Sequence, residues 1–521
     1  MQRQFKDLIL INNWTLSLAI IVAACVVSFM LFGYWWPYWR TADMDFWMVN
    51  DGWLVNDGAS QERFEHPAYL SILLLGHWYG LLHHLGLLDV HALSLVPAPV
   101  AAEHAWTAAV RAGRVLSLLL SLAFVLGFGV LLRRLIGDWR VAVLATLFLA
   151  FSGGVAMEAR VLRTELVAGG LVIIALLILL NAARKPQTPW RPALMGLAAL
   201  LATLGLTNKV QVIFLICAFP LMLLPFGCAS DDPALFWRRS RLAFPIAGLC
   251  ASAGVLLALA AAPLVGFGIA NAASAFPKPF LFGAYGAYQA GIAIWIALAM
   301  LGFSRVWRVP RAETLAAMGA VAAGVALGLL ALELRCEPQN LIIVMNPLEK
   351  LATFASDPSV GQGNLAYSLL HGIVVVLTTR TFVLDSSARP AIFLEWMVIA
   401  ATIQVFRAGD RRLALQVATL MCIAWGMDAI YAARSLGQQY FTLTDPVVII
   451  AAAWLVAKAP ALQAHRRAYQ IGVALIVAHF VLGLAEPVKH TFQTSKPLLF
   501  CTVRSNQPQH IENFSFCPPG A

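Results

Sequence analysis

Apolar residues in this chain come in repeated runs of about 17–25, the length at which a helix crosses a bilayer. The runs over 14–36, 108–131, 140–157, 165–182, 191–207, 210–226, 242–265, 284–303, 314–333, 391–406, 412–432, 446–457 and 468–485 predict transmembrane helices. Two more, 68–88 and 366–384, are also apolar enough to enter the membrane. Strands of a porin-like barrel are short and alternate in polarity, and these runs do neither, so that architecture is excluded. The predicted fold class is all-α: a polytopic integral membrane protein.

Composition agrees. The chain has 521 residues, 60% hydrophobic and 12% charged, roughly half the charged fraction of a soluble protein. A net charge of +10 suggests nucleic acid only until its placement is read. Lys and Arg gather in short clusters between apolar runs, the positive-inside pattern of membrane proteins. The clusters are Arg133/Arg134/Arg140, Arg184/Lys185/Arg191, Arg238/Arg239/Arg241, Arg305/Arg308/Arg311, Arg407/Arg411/Arg412 and Lys458/Arg466/Arg467, and with Arg3 and Lys6 they hold 20 of the 36 basic residues. All of them fall on one side only if 68–88 and 366–384 lie along the surface or re-enter it. About thirteen crossings result, with the N-terminus inside, the C-terminus outside and interfacial helices in the outer loops.

The N-terminal apolar run is long and lacks a small-residue cleavage site, so it reads as a retained helix. Residues 1–485 form the membrane domain, with a first outer loop at 37–107, and 486–521 form a small outer tail. A disulfide between Cys501 and Cys517 would close a loop worth roughly 3 kcal/mol. No 20–50-residue repeat and no inverted halves are visible, which counts against a transporter.

Charge is scarce except in the first outer loop, where Asp43, Asp45, Asp51, Asp57, Glu62 and Glu65 crowd together. Asp43 and Asp45 form an Asp-Met-Asp triplet. Either carboxylate is a candidate general base toward a hydroxyl, or a hard ligand for a divalent metal; the plain alternative is a solvated acidic loop. Glu65-His66-Pro67 opens the 68–88 run, where Glu65 is suited to cap a helix or to position a ligand. Arg160, Arg163 and Glu165 lie at one outer junction, Lys209 at another, and Arg111 and Arg114 open a helix. Ionisable groups near membrane depth are costly and are paired or functional. The functional reading is capture of a phosphate at the lipid–water boundary; the alternative is pairing with Glu158, Glu165 or lipid headgroups. Arg434 to Pro446 is a further outer junction with cation, amides and aromatics, and His77, His83 and His84 read as interfacial side chains.

Taken in order, these residues resemble the GT-C superfamily of polyprenyl-phosphate-sugar-dependent glycosyltransferases, especially the lipid A aminoarabinose transferases and the protein O-mannosyltransferase-like group. Asp45, with Asp43 beside it, matches the first-loop Asp, and Trp47 the aromatic that follows. Phe64-Glu65-His66-Pro67 matches the Phe-Glu-Lys-Pro-Pro or His-Pro-Pro element, with Ala68 in place of the second Pro. Arg114-Val115-Leu116-Ser117, Ala159-Arg160-Val161-Leu162-Arg163-Thr164-Glu165 and Leu206-Thr207-Asn208-Lys209 match further elements, the last with Asn inserted. Gln439-Tyr440 to Pro446 approximates an Arg-Tyr element, with Gln where Arg is usual.

The resemblance implies an inner-membrane glycosyltransferase of a bacterium. It would move a sugar from an undecaprenyl-phosphate (polyprenyl-phosphate) donor to a lipid, glycan or protein acceptor at the periplasmic face, with inversion. Asp45 or Asp43 would serve as base. Lys209, Arg160 and Arg163 would hold the donor phosphate, with Glu65, His66 and Tyr440 positioning sugar or acceptor. No metal is required in that reading, although the Asp43/Asp45 triplet keeps room for a divalent ion. Other classes to weigh are a lipid-linked glycan polymerase or ligase, whose large loop falls late, and a lipid or solute transporter without chemistry.

Overall fold

The computed structural model describes residues 2–36, 42–59, 68–97, 99–184, 190–227, 286–333, 365–376, 392–433 and 440–459, with isolated positions 470, 474 and 478. Helices run in the order α1 (Gln2–Phe32), α2 (Ala42–Asn56), α3 (Tyr69–His84), α4 (Pro99–Ile136), α5 (Trp139–Ala150), α6 (Gly153–Glu158), α7 (Glu165–Arg184), α8 (Arg191–Asn208), α9 (Ile213–Leu223), α10 (Gly286–Val306), α11 (Arg311–Glu333), α12 (Leu365–Val375), α13 (Ile392–Arg407), α14 (Arg411–Ala433) and α15 (Phe441–Lys458). Among the described residues there is no strand, and five helices are long and apolar enough to cross a bilayer: α1, α4, α7, α11 and α15. The expected segments 242–265 and 468–485, the tail with Cys501 and Cys517, and most of 334–390 lie outside the described residues.

Uninterrupted apolar runs gave the closest agreement. The predicted 165–182 and 191–207 become α7 and α8, each longer by one or two residues. Three differences have identifiable causes. The predicted 140–157 breaks at Phe151–Ser152 into α5 and the short α6. Gly153 and Gly154 follow the break, and a Cβ on Gly154 would collide with the Thr442 backbone nitrogen, so α15 crosses there at glycine-only distance. The predicted 446–457 starts at Phe441 instead, with Pro446 inside α15 rather than at its head. Pro446 has no N–H to offer the Thr442 carbonyl, one turn back, so the helix runs on without that bond.

The third difference is the acidic stretch expected as a loop, which contains a helix. α2 buries Phe46, Val49 and Trp53, at i, i+3 and i+7, the spacing of an amphipathic face. The acids and Asn50 between them hid that face in the sequence. α3 lies against α2 through paired glycine contacts: a Cβ on Gly52 would stand 3.1 Å from Leu75 Cγ, and one on Gly76 would stand 2.8 Å from Val55 Cβ. α3 has 16 residues, about 24 Å of helix, shorter than the roughly 30 Å hydrocarbon core.

Among the described residues, two large apolar cores form beside a small cluster at Val376 and Ala429. The smaller joins α2, α3 and the first half of α4 around Trp53, Tyr79 and Trp106, with Trp106 stacked on Phe46 at 4.3 Å. The larger joins the second half of α4 to α5, α7, α9, α14 and α15. α4, 38 residues long, is the rod common to both. α8 and α11 approach closely along small residues: a Cβ on Gly196 would lie 2.8 Å from the Ala320 carbonyl oxygen. Such stripes let helix backbones meet in an apolar solvent.

Candidate functional site

The site lies where the two cores meet, at the strip between α6 and α7 that runs from Glu158 to Glu165. Asp45 reaches it from α2 and is fully buried. The Leu162 N–H donates to Asp45 Oδ1 at 2.6 Å. Arg114, buried on α4, donates to Asp45 Oδ2 from Nη2 at 2.6 Å and from Nε at 3.2 Å. Its Nη1 donates to the carbonyls of Gly33 (3.1 Å) and Trp36 (2.7 Å), tying in the end of α1. Arg160 donates from Nη2 to Ser28 Oγ at 2.6 Å and packs on Gly33, where a Cβ would stand 2.9 Å from its Cγ.

Lys209 meets the same strip from the end of α8. Its Nζ is 2.8 Å from Glu165 Oε1, with both side chains buried, and it lies 5.5 Å from the centre of the Tyr440 ring. Glu165 pairing, offered by the sequence as the alternative to phosphate capture, is therefore present. Burial, the largest single effect, pulls the Lys209 amine down, but Glu165 and Tyr440 together outweigh it, and the amine is held above its ordinary range. Glu158 closes the cluster: the Thr442 Oγ1–H donates to its Oε1 at 3.0 Å. Burial, then the charge of Glu165, pushes the Glu158 carboxyl well above the ordinary range, against the pull of Arg163, Thr442 and Lys209. Arg163 is half-buried beside these groups.

Asn208 braces the junction. Its Oδ1 accepts from the Ser71 N–H at 2.9 Å. Its Nδ2 donates to the Thr164 carbonyl at 2.6 Å, and its own carbonyl accepts from the Ala68 N–H at 3.0 Å. One side chain thus joins α3, the strip and α8. The sequence presented Asn208 only as an insertion into a motif. The sequence offered Arg114 as one of the candidate cations and Glu158 as a pairing partner, neither with a role of its own in the site, and Thr442 was missed. Arg114 and Glu158 carried the signal of buried charge at membrane depth, and Thr442 carried none.

Of the predicted residues, Asp45, Arg160, Arg163, Lys209 and Tyr440 come together here. Leu162 and Glu165 are three residues apart, at most about 11 Å of chain, so Asp45 and Lys209 hold opposite ends of one short segment. Asp43 is on α2, but its side chain lies outside the described residues, as do Glu65, His66 and Gln439. Among the described residues no three His, Cys, Asp or Glu side chains gather as metal ligands. His83 stacks on His91 at 3.9 Å, away from this strip.

Beside α8 lies a cavity of about 350 Å³ between α7, α9, α10 and α11. Its lining is almost wholly apolar, from Arg191 and Trp307 at one end to Thr207 at the other. Thr207 is two residues from Lys209. Set against known protein families, curated proteins and solved structures, the chain matches none.

Proposed function

We propose that this protein is a membrane glycosyltransferase that takes a sugar from a polyprenyl-phosphate donor, with a lipid, glycan or protein as acceptor. The observation that carries this reading is that Asp45 and Lys209, distant in sequence, both bond to the strip Leu162–Glu165. A base and a phosphate-binding cation need that proximity.

In this reading the donor phosphate sits by Lys209 and Arg163, and its isoprenoid tail lies in the apolar cavity beside α8. An acceptor hydroxyl oxygen attacks the anomeric carbon in line. The bond from that carbon to the phosphate oxygen breaks, polyprenyl phosphate leaves, and the anomeric centre is inverted. The hydroxyl proton passes to Asp45, which shares one carboxylate oxygen with the acceptor while Arg114 retains it. Lys209 and Arg163 stabilise the charge that grows on the leaving phosphate. Glu65 and His66 would position the sugar or acceptor. Residues 37–107 would face the side on which transfer occurs, the periplasm of a bacterial inner membrane, across about thirteen crossings.

Mass spectrometry of envelope lipids, glycans and proteins from a strain lacking this chain tests the reading. The expected result is loss of one sugar mass from a single class of acceptor, restored by the wild-type chain. An unchanged set of glycosylated products, with altered flux of a lipid or solute, would instead favour a transporter. The polymerase or ligase reading places its chemistry in 334–390, largely outside the described residues, and predicts loss of whole glycan chains.

A further inference from the structure

Glu158 ends α6 with its side chain fully buried. Only one of its oxygens is used. Oε1 accepts from Thr442, whereas Oε2 has no hydrogen-bond partner. A buried carboxylate with an unpartnered oxygen is expensive, and the group relieves the cost by keeping a proton. Seven residues on, Glu165 has the opposite surroundings: Lys209 stands 2.8 Å from it and holds its charge. One carboxyl of the junction thus has a cation against it and the other has an oxygen with no partner, the kind of contrast that separates an ionised from a neutral acid.

A neutral carboxylic acid has a single O–H donor. Because Thr442 donates to Oε1, the proton belongs on Oε2, the oxygen that lacks a partner. We propose that Glu158 acts as a neutral acid and donates a hydrogen bond from Oε2–H to an oxygen of a phosphoryl group bound beside Lys209 and Arg163. The proposal rests on the reading of this junction as a donor-phosphate site. The charged groups facing Glu158 are Glu165 of α7, Arg163 of the strip and Lys209 at the end of α8. Lys209 and Arg163 supply charge to a phosphoryl oxygen. Neutral Glu158 supplies a directional bond without adding a second negative charge, which an ionised Glu158 would do. Glu158 then positions the phosphate and stays clear of the sugar carbon.

Infrared difference spectroscopy on the full-length protein in nanodiscs reads the proton directly, comparing wild type with Glu158→Gln. The expected result at pH 7 is a carboxylic-acid C=O band, present in wild type and missing in E158Q, that shifts when dodecyl phosphate is added. A shift with dodecyl phosphate alone supports a lipid-borne phosphate; a shift with inorganic phosphate as well supports the phosphoryl group from either source. No such band, or a band that neither compound moves, would overturn the assignment. Sugar-transfer assays separate this outcome from the wider reading. If the band shifts while no polyprenyl phosphate is released from sugar-loaded donors, glycosyl transfer fails and the role of Glu158 stands. If transfer proceeds and E158Q keeps the wild-type rate and pH profile, the role of Glu158 fails; the expected profile declines at high pH in wild type and is flat in E158Q.

Discussion

Arg114 closes on Asp45 through two nitrogens, Nη2 at 2.6 Å and Nε at 3.2 Å, both on the same carboxylate oxygen and both out of solvent. The pair fastens α2 to α4, and the other nitrogen of the fork ties in the end of α1. Removing one member of a buried pair leaves an uncompensated charge, a loss of about 3–5 kcal/mol. Asp45→Ala and Arg114→Met should each cost about that much in reversible unfolding, and the double variant should cost clearly less than their sum. Additive losses would mean that the two side chains do not depend on each other.

Ala68 occupies the left-handed region at φ 43°, and its N–H is bonded to the Asn208 carbonyl. Proline satisfies neither condition, since it fixes φ near −65° and has no N–H. The backbone at this position therefore calls for a residue other than proline. Ala68→Gly should stay within about 1 kcal/mol of wild type, because glycine accepts positive φ. Ala68→Pro should lose more than that, with a lower unfolding midpoint and weaker hydrogen-exchange protection at the start of α3.

Asn208→Ala removes an acceptor from Ser71 and a donor from Thr164. Each backbone group left unpaired in a buried setting costs about 1–3 kcal/mol. Asn208→Asp restores the acceptor only, so its unfolding midpoint should fall between those of wild type and Asn208→Ala. A midpoint for Asn208→Asp below that of the alanine variant would show that charge at this position, rather than the missing donor, dominates.

Stability should also report the Glu158 proton. A carboxyl whose folded-state value is raised binds more protons folded than unfolded in the window above the ordinary glutamate range, so stability falls as pH rises through it. Glu158→Gln has no proton to lose. The gap in melting temperature between E158Q and wild type should widen in favour of E158Q from pH 5 to pH 8. A constant gap would contradict a raised Glu158.

The fold was most legible where apolar runs are unbroken and flanked by charge, as in α7 and α8. It was least legible where polar residues serve packing. α2 keeps Phe46, Val49 and Trp53 in register, but Asp45, Asn50 and Asp51 interrupt the run and disguise a buried helix as an acidic loop. The site was partly legible for a related reason: an Asp, an Arg or a Lys near membrane depth stands out against an apolar chain. Asn208 and Thr442 do not stand out. A neutral amide or hydroxyl at a helix end is ordinary, and only the meeting of α3, α8 and α15 on one strip gives either of them partners.

The central claim is that Lys209 neutralises the phosphate of a lipid-linked sugar as it leaves. Release of polyprenyl phosphate from a labelled polyprenyl-phosphate sugar by the purified protein tests this most directly. The comparison is wild type against Lys209→Met combined with Glu165→Gln, which removes both charges of the pair and strands neither. Loss of one preorganised electrostatic contact of this kind lowers turnover by about 10²–10³-fold, and that drop, in a protein that still folds, is the predicted result. Release at the wild-type rate by the double variant, or no release by wild type from any polyprenyl-phosphate sugar, would contradict the account.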